Sequence, residues 1–227
     1  MNYSVYVNAG VLLVVSSALP STIKQDVLDT LAFARLAADE DVPQGVQDSR
    51  WFDIYSGILS ACGWSFFAEQ QTDLALLGPE STISGQEEML ELAETHLPSG
   101  QGLLISAALR RLASASSDAA LMQSLKRHCL SAEAGSVRFR AMAGVVEAGG
   151  FLGMVSVSFD TQSKIDPCYW ESGAARHTPV GNVIRRGYSA RFNQALYDEF
   201  RADTREWLAA ELHPPSVEIG PLFSEKH

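Results

Sequence analysis

Cys168 and His177 are the cysteine and histidine that could act together in a segment without regular periodicity. A nucleophile needs a base within hydrogen-bond reach, so this pair defines an enzymatic reading. In it, a hydrolase or transferase uses Cys168 or a loop serine as nucleophile and His177 as base. The chain has no G-x-S-x-G elbow to support a serine hydrolase. His128 adjoins Cys129, but neighbours on a helix point in different directions. Cys129 also falls on an apolar stripe, so its thiol reads as core. His96, His128, His177, His213 and His227 are scattered, with no H-E-x-x-H and no C-x-x-C, and no metal site is expected. Gly149-Gly150 stands between two strand patterns and lacks G-x-G-x-x-G, so it reads as a hairpin turn rather than a phosphate cradle. No cofactor is expected. Glu87, Glu88, Glu91 and Glu94 share one helix. Paired carboxylates can hydrolyse glycosides, but a solvated helix face with acids near its first turn explains these better.

Recognition chemistry has stronger candidates. Pro167-Cys168-Tyr169-Trp170 places two aromatic rings in a long loop, with Arg176 and His177 close behind. Aromatic and arginine side chains dominate interface hot spots. Trp51 and Trp207 sit on helical stripes and read as core. Leu152 and Met154 form a second candidate contact. If Val155, Val157 and Phe159 face the core, Phe151 does too, and Leu152 and Met154 face outward with Ser156 and Ser158. Two occupants suit that face, a partner surface or a covering helix, and the helix is preferred.

The elements that must position these residues change character near residue 132. Before it, apolar residues recur mostly at helical spacing. After it, Val137 to Val145 and Phe151 to Phe159 alternate apolar with smaller or polar residues around Ala148-Gly149-Gly150, the pattern of an antiparallel hairpin. Tyr3–Val7 and Val11–Val15 read as an earlier hairpin through Asn8-Ala9-Gly10. Helices are expected from a Ser21 cap to about Asp39, and from an Asp48 cap through the stripe Trp51, Tyr55, Ile58 and Cys62. Gly63 ends the second, and a short strand follows from Trp64. A Ser84/Glu87 capping box starts a third helix. A fourth covers about 103–113, and a fifth runs from Asp118 to about Leu130. A strand over 183–192, one helix over about 196–211 and an edge strand at Val217–Ile219 complete the chain. The expected fold is α+β: an antiparallel sheet with a central hairpin at about 136–160, flanked by five to six helices mostly in the N-terminal half. One domain over 1–227 is expected, with 131–136 the best alternative boundary.

Bulk composition bounds the function. The 227 residues are 46% hydrophobic and 19% charged, with a formal net charge of −10. Residues 1–100 hold 3 Lys or Arg against 14 Asp or Glu, so the acidity belongs to the helical half. Nucleic-acid affinity needs clustered cations to neutralise phosphates, which excludes that partner class. Three cysteines without metal spacing argue against a disulfide scaffold and for synthesis in a reducing cytoplasm. The apolar stretch Tyr3–Val15 has no Lys or Arg before it and reads as strands, not as a signal peptide or membrane span. Signal-independent export would leave no mark in such a sequence. The order of elements resembles small bacterial proteins in which helices flank an antiparallel sheet, some protein toxins among them. No site residue is drawn from that resemblance. The leading expectation is a non-catalytic, toxin-like or effector-like interaction protein whose partner is a protein or a membrane surface. Its oligomeric state is not encoded in any motif. Its expected contact residues are Tyr169, Trp170, Arg176 and His177, then Leu152 and Met154. The rival is the enzyme built on Cys168 or a loop serine with His177.

Overall fold

Two alternating segments open the chain. β1 (Tyr3–Asn8) and β2 (Val11–Ser16) pair antiparallel, and every residue of β2 is buried. Gly10 turns them at φ +76°. A Cβ there would lie 2.4 Å from His128 Cβ, so glycine answers both the dihedral and the close approach. The computed structural model describes residues 2–42, 48–74, 81–115, 118–133, 135–165, 176–210 and 216–223. Among these it contains seven helices and an eight-stranded sheet.

The helices are α1 (Ser21–Asp41), α2 (Asp48–Ala61), α3 (Gly85–His96), α4 (Gln101–Ser114), α5 (Ala119–Cys129), α6 (Gln194–Tyr197) and α7 (Arg201–Ala209). The remaining strands are β3 (Trp64–Leu74), β4 (Leu130–Glu133), β5 (Ser136–Val146), β6 (Phe151–Thr161), β7 (Pro179–Phe192) and β8 (Ser216–Pro221). The sheet runs β3-β7-β6-β5-β2-β1-β8, and β4 pairs with β5. β5 is the hinge of this topology. Its first residues pair with β4 and its last with β2, while β6 occupies its other edge.

Side chains alternate across a sheet, so two cores result. On one face, Phe139, Ala141, Val145, Val155 and Val157 pack with Met89, Ile105, Leu109 and Leu125 of α3–α5. On the other, Leu13, Met142, Leu152, Met154 and Tyr188 pack with Val27, Leu31, Trp51 and Tyr55 of α1–α2. The architecture is a sheet between two helical layers. No helix among the described residues is long and apolar enough to cross a membrane.

Several expectations need correction. The sheet is mostly antiparallel, but β2 and β5 are parallel, a pairing that alternation within one strand cannot reveal. Ser21 is the first helical residue and not the cap; Pro20 occupies that position without a side-chain hydrogen bond. α1 continues through Asp39-Glu40-Asp41 although the dipole disfavours anions there, because Asp39 is paired with cations from other elements. The expected C-terminal helix is two: α6, capped by Asn193, and α7 after a turn at 198–200. β4 occupies Leu130–Glu133, where no strand was expected. Phe151 begins the inward-facing row of β6 but is exposed, because the row reaches the hairpin tip beyond the helices.

Candidate functional site

The residues singled out from sequence fall into three groups. Cys168, Tyr169 and Trp170 lie outside the described residues. Arg176 is exposed, pairs with Glu87 at 2.7 Å and donates to the Thr82 carbonyl. His177 exchanges both backbone hydrogen bonds with Ile83, and its ring lies 6.3 Å from that of Phe159. Burial lowers its pKa, so the imidazole is neutral near pH 7, and its buried Nε2 makes no hydrogen bond among the described residues. Leu152 and Met154 are 1% and 0% exposed. α1 and α2 cover the face they occupy, so in this fold they serve the core and not an open surface. The glutamates of α3 are not simply solvated. Arg185 reaches Glu88 at 3.3 Å and Glu91 at 3.0 Å, alongside the Arg176–Glu87 pair.

The β5–β6 hairpin has the most distinctive chemistry. Each strand has 11 residues. The face toward α3–α5 is apolar up to Thr161 at its open end: Phe139, Ala141, Ala143, Val145, Val155, Val157 and Phe159. The opposite face divides along its length. Toward the tip it carries Met142, Gly144, Val146, Leu152 and Met154. Toward the open end it carries Arg138, Arg140, Ser156, Ser158 and Asp160. Arg138 grips Asp160 across the strands, at 2.8 Å from Nε and 3.0 Å from Nη2. β7 extends the apolar face only in part, through Gly187 and the buried Val183; its other positions there hold Arg185, Ser189 and Arg191.

Arg140 enters a cluster drawn from four helical and strand elements. Asp39 of α1 is its centre. Arg35 approaches it at 3.1 Å, Arg140 at 3.6 Å and His128 Nδ1 at 3.8 Å, and Trp51 Nε1 donates to it at 2.8 Å. The guanidinium carbons of Arg35 and Arg140 lie 4.7 and 4.1 Å from the Trp51 ring centroid. Cation–π contact of this kind strengthens with desolvation. Arg35 is nearly inaccessible and also donates to the His128 carbonyl and to the Met142 sulfur. Burial alone would raise the Asp39 pKa. Arg35, His128, Arg140 and Trp51 outweigh it and hold the carboxyl below its ordinary range.

A cavity of about 450 Å³ opens beside this cluster, with Ser131, Arg127 and Trp207 on its walls. Asp39 is ionised there and cannot act as an acid at neutral pH. The Cys129 thiol donates to the Gly10 carbonyl, and burial pushes its pKa up to about 11; burial likewise pushes the Cys62 thiol to about 11. Neither is a ready nucleophile. Among the described residues no group of three His, Cys, Asp or Glu could hold a metal. The cluster therefore works as a clamp that ties α1, α2 and α5 to the polar end of the hairpin.

Sequence reasoning missed this clamp. Trp51 read as core, Asp39 as a helix end, and Arg138 and Arg140 as alternating polar positions. One signal was available: two arginines in a strand otherwise rich in apolar residues need partners, and Asp39-Glu40-Asp41 is a dense source of carboxylates.

No family model and no curated protein matches the chain. Among solved structures, a delta-endotoxin overlaps at TM-score 0.46 with 6% identity, covering 80% of each chain. The activated Cyt2Ba monomer from Bacillus thuringiensis subsp. israelensis overlaps at TM-score 0.45 with 8% identity, covering 81% of this chain and 97% of that one. The Evf virulence factor overlaps at TM-score 0.36 with 10% identity, covering 89% and 81%. These likenesses are of overall architecture, and overlaps this loose assign no function.

Proposed function

We propose that this chain is a non-catalytic, toxin-like or effector-like protein that acts on a lipid membrane, by releasing α3–α5 and inserting the β5–β6 hairpin. One observation carries the reading: the hairpin pairs a face that is apolar from its tip to Phe139 and Phe159 with a face that is polar over its open end. Spanning strands need about 9–11 residues and alternate lipid-facing with water-facing side chains. The 11-residue strands meet that length. Lipid tails can replace α3–α5 on the apolar face, because that contact is non-directional. The clamp holds the polar end until then. Two strands leave open edges, which a bilayer does not tolerate, so hairpins from several copies must pair.

Flotation with phosphatidylcholine vesicles, followed by release of an entrapped dye, tests the reading. Co-flotation with dye release and a membrane-bound oligomer is expected. A protein that stays at the bottom of the gradient and releases no dye refutes it.

The enzyme reading retains one supporting feature, the neutral His177 imidazole whose Nε2 has no partner among the described residues. Thiol-reactivity profiling at neutral pH tests it. A Cys168 rate no faster than that of a model thiol sinks it.

A further inference from the structure

Six of the seven exposed large apolar side chains among the described residues sit at one end of the sheet, the end where the β5–β6 hairpin turns. Phe151 opens β6 there, opposite Arg191. Phe67 lies at the bulge near the start of β3, and its ring meets that of Phe151 edge-on at 6.1 Å. Leu196 is beside Gly63, whose backbone immediately precedes β3. Phe200 follows one turn later, with its amide bonded to the Tyr197 carbonyl. Leu103 lies in the first turn of α4, whose Gln101 reaches Glu147 at the base of the hairpin turn. Phe223 comes directly after Leu222, which bonds the Tyr3 carbonyl at the same end. Val180, the seventh, is opposite Asp160 at the far end.

We infer that this end is the membrane-docking surface, and that it seats on a zwitterionic lipid bilayer with the hairpin tip leading. The inference rests on the membrane reading above. Scattered exposed apolar residues are ordinary, but their concentration at one end is not. They come from six segments belonging to both helical layers and the sheet. That distribution forms a broad end rather than a groove, and a fluid planar surface accommodates it without shape matching. Phe67 and Phe151 are 61% and 42% exposed, so docking removes real apolar area from water. The net charge of −10 disfavours an anionic surface, which selects neutral headgroups. The exposed Arg191 lies over the Phe151 ring at 5.0 Å and can meet headgroup phosphates as the ring enters. Behind Glu147 at the turn, the hairpin is apolar on both faces as far as the Gly144–Met154 pair, so the segment that follows the tip in has little polar surface.

The test is vesicle co-flotation of the full chain, the double variant Phe67→Ser/Phe151→Ser and the control Val180→Ser, on phosphatidylcholine vesicles with and without phosphatidylserine. All three should melt at the same temperature. The double variant should partition roughly tenfold more weakly, the effect of losing about 1.4 kcal/mol of apolar burial. Val180→Ser should partition like the parent, and phosphatidylserine should weaken binding. If the parent binds but the double variant binds equally well, or Val180→Ser is equally impaired, the docking end is wrong while the membrane reading stands. If the parent binds no vesicle, the membrane reading itself fails and the inference falls with it.

Discussion

The two faces of the β5–β6 hairpin are held by different physics. Toward α3–α5, contact is apolar: Phe139 against Phe159 at 4.9 Å, with alanine and valine between the helices and the sheet. Toward α1–α2, directional contacts dominate at several points. Asp39 gathers Arg35, Arg140 and Trp51, Tyr55 and Tyr188 share a hydroxyl hydrogen bond at 3.0 Å, and Trp64 donates to Thr30. On the hairpin itself an apolar layer can be exchanged for lipid, at the further cost of breaking the pairs of Arg185 on β7 with Glu88 and Glu91 of α3. A polar clamp cannot, because each broken partner strands a charge. The difference nominates α3–α5 as the layer that leaves, once His128 of α5 has let go of Asp39 and Arg35, and α1–α2 as the layer that stays.

The comparison can be broken in several places. The largest effect is expected at Phe139→Ala, on the exchangeable face. Removing this buried ring beside Gly85 and Phe159 should cost ~3–5 kcal/mol in denaturant unfolding. A loss under about 1 kcal/mol would mean that the face is poorly packed.

Arg35→Ala tests the clamp. It removes a buried guanidinium from Asp39, Trp51 and the His128 carbonyl, and about 3 kcal/mol should be lost. An unchanged unfolding midpoint would show that the cluster holds nothing.

Asp39→Asn should cost less, about 1–2 kcal/mol at neutral pH, because the amide oxygen still accepts from Trp51. Its pH dependence is more telling. The folded protein holds the Asp39 pKa below its ordinary value, so the ionised form favours folding. That stability is complete above about pH 4 and fades as pH falls through the lower, folded value. Melting temperatures measured from pH 6 to pH 2 should fall more gently below about pH 4 in Asp39→Asn than in the parent. Parallel curves would contradict the assignment.

Arg176→Ala should have the smallest effect, under about 0.5 kcal/mol, because both Arg176 and Glu87 are more than half exposed. A loss of several degrees in the melting temperature would make this corner part of the frame that holds α3 to the sheet.

How far the sequence could be read follows from the range of the signals. The hairpin was legible because period-two alternation is local: Val137 to Val145 and Phe151 to Phe159 spell it without reference to the rest of the chain. The α3 start was legible for the same reason, and Ser84 does accept from the Glu87 amide. The clamp was not, because Asp39, Trp51, His128 and Arg140 meet only after β2 lies parallel to β5, a long-range pairing with no local mark. The covering of Leu152 and Met154 depended on which side α1 and α2 would take, and alternation fixes two faces without saying what covers them. The docking end was illegible because Phe151 falls in the core-facing row of its strand, and its meeting with the exposed Phe67 of β3 depends on a pairing through β7 with no local mark.

Hydrogen exchange on the vesicle-bound protein tests the central claim most directly. Amides of α3, α4 and α5 should lose protection on binding, while those of β5 and β6 keep it and α1–α2 change little. A bound protein in which α3–α5 remain as protected as in solution would contradict the release of that layer.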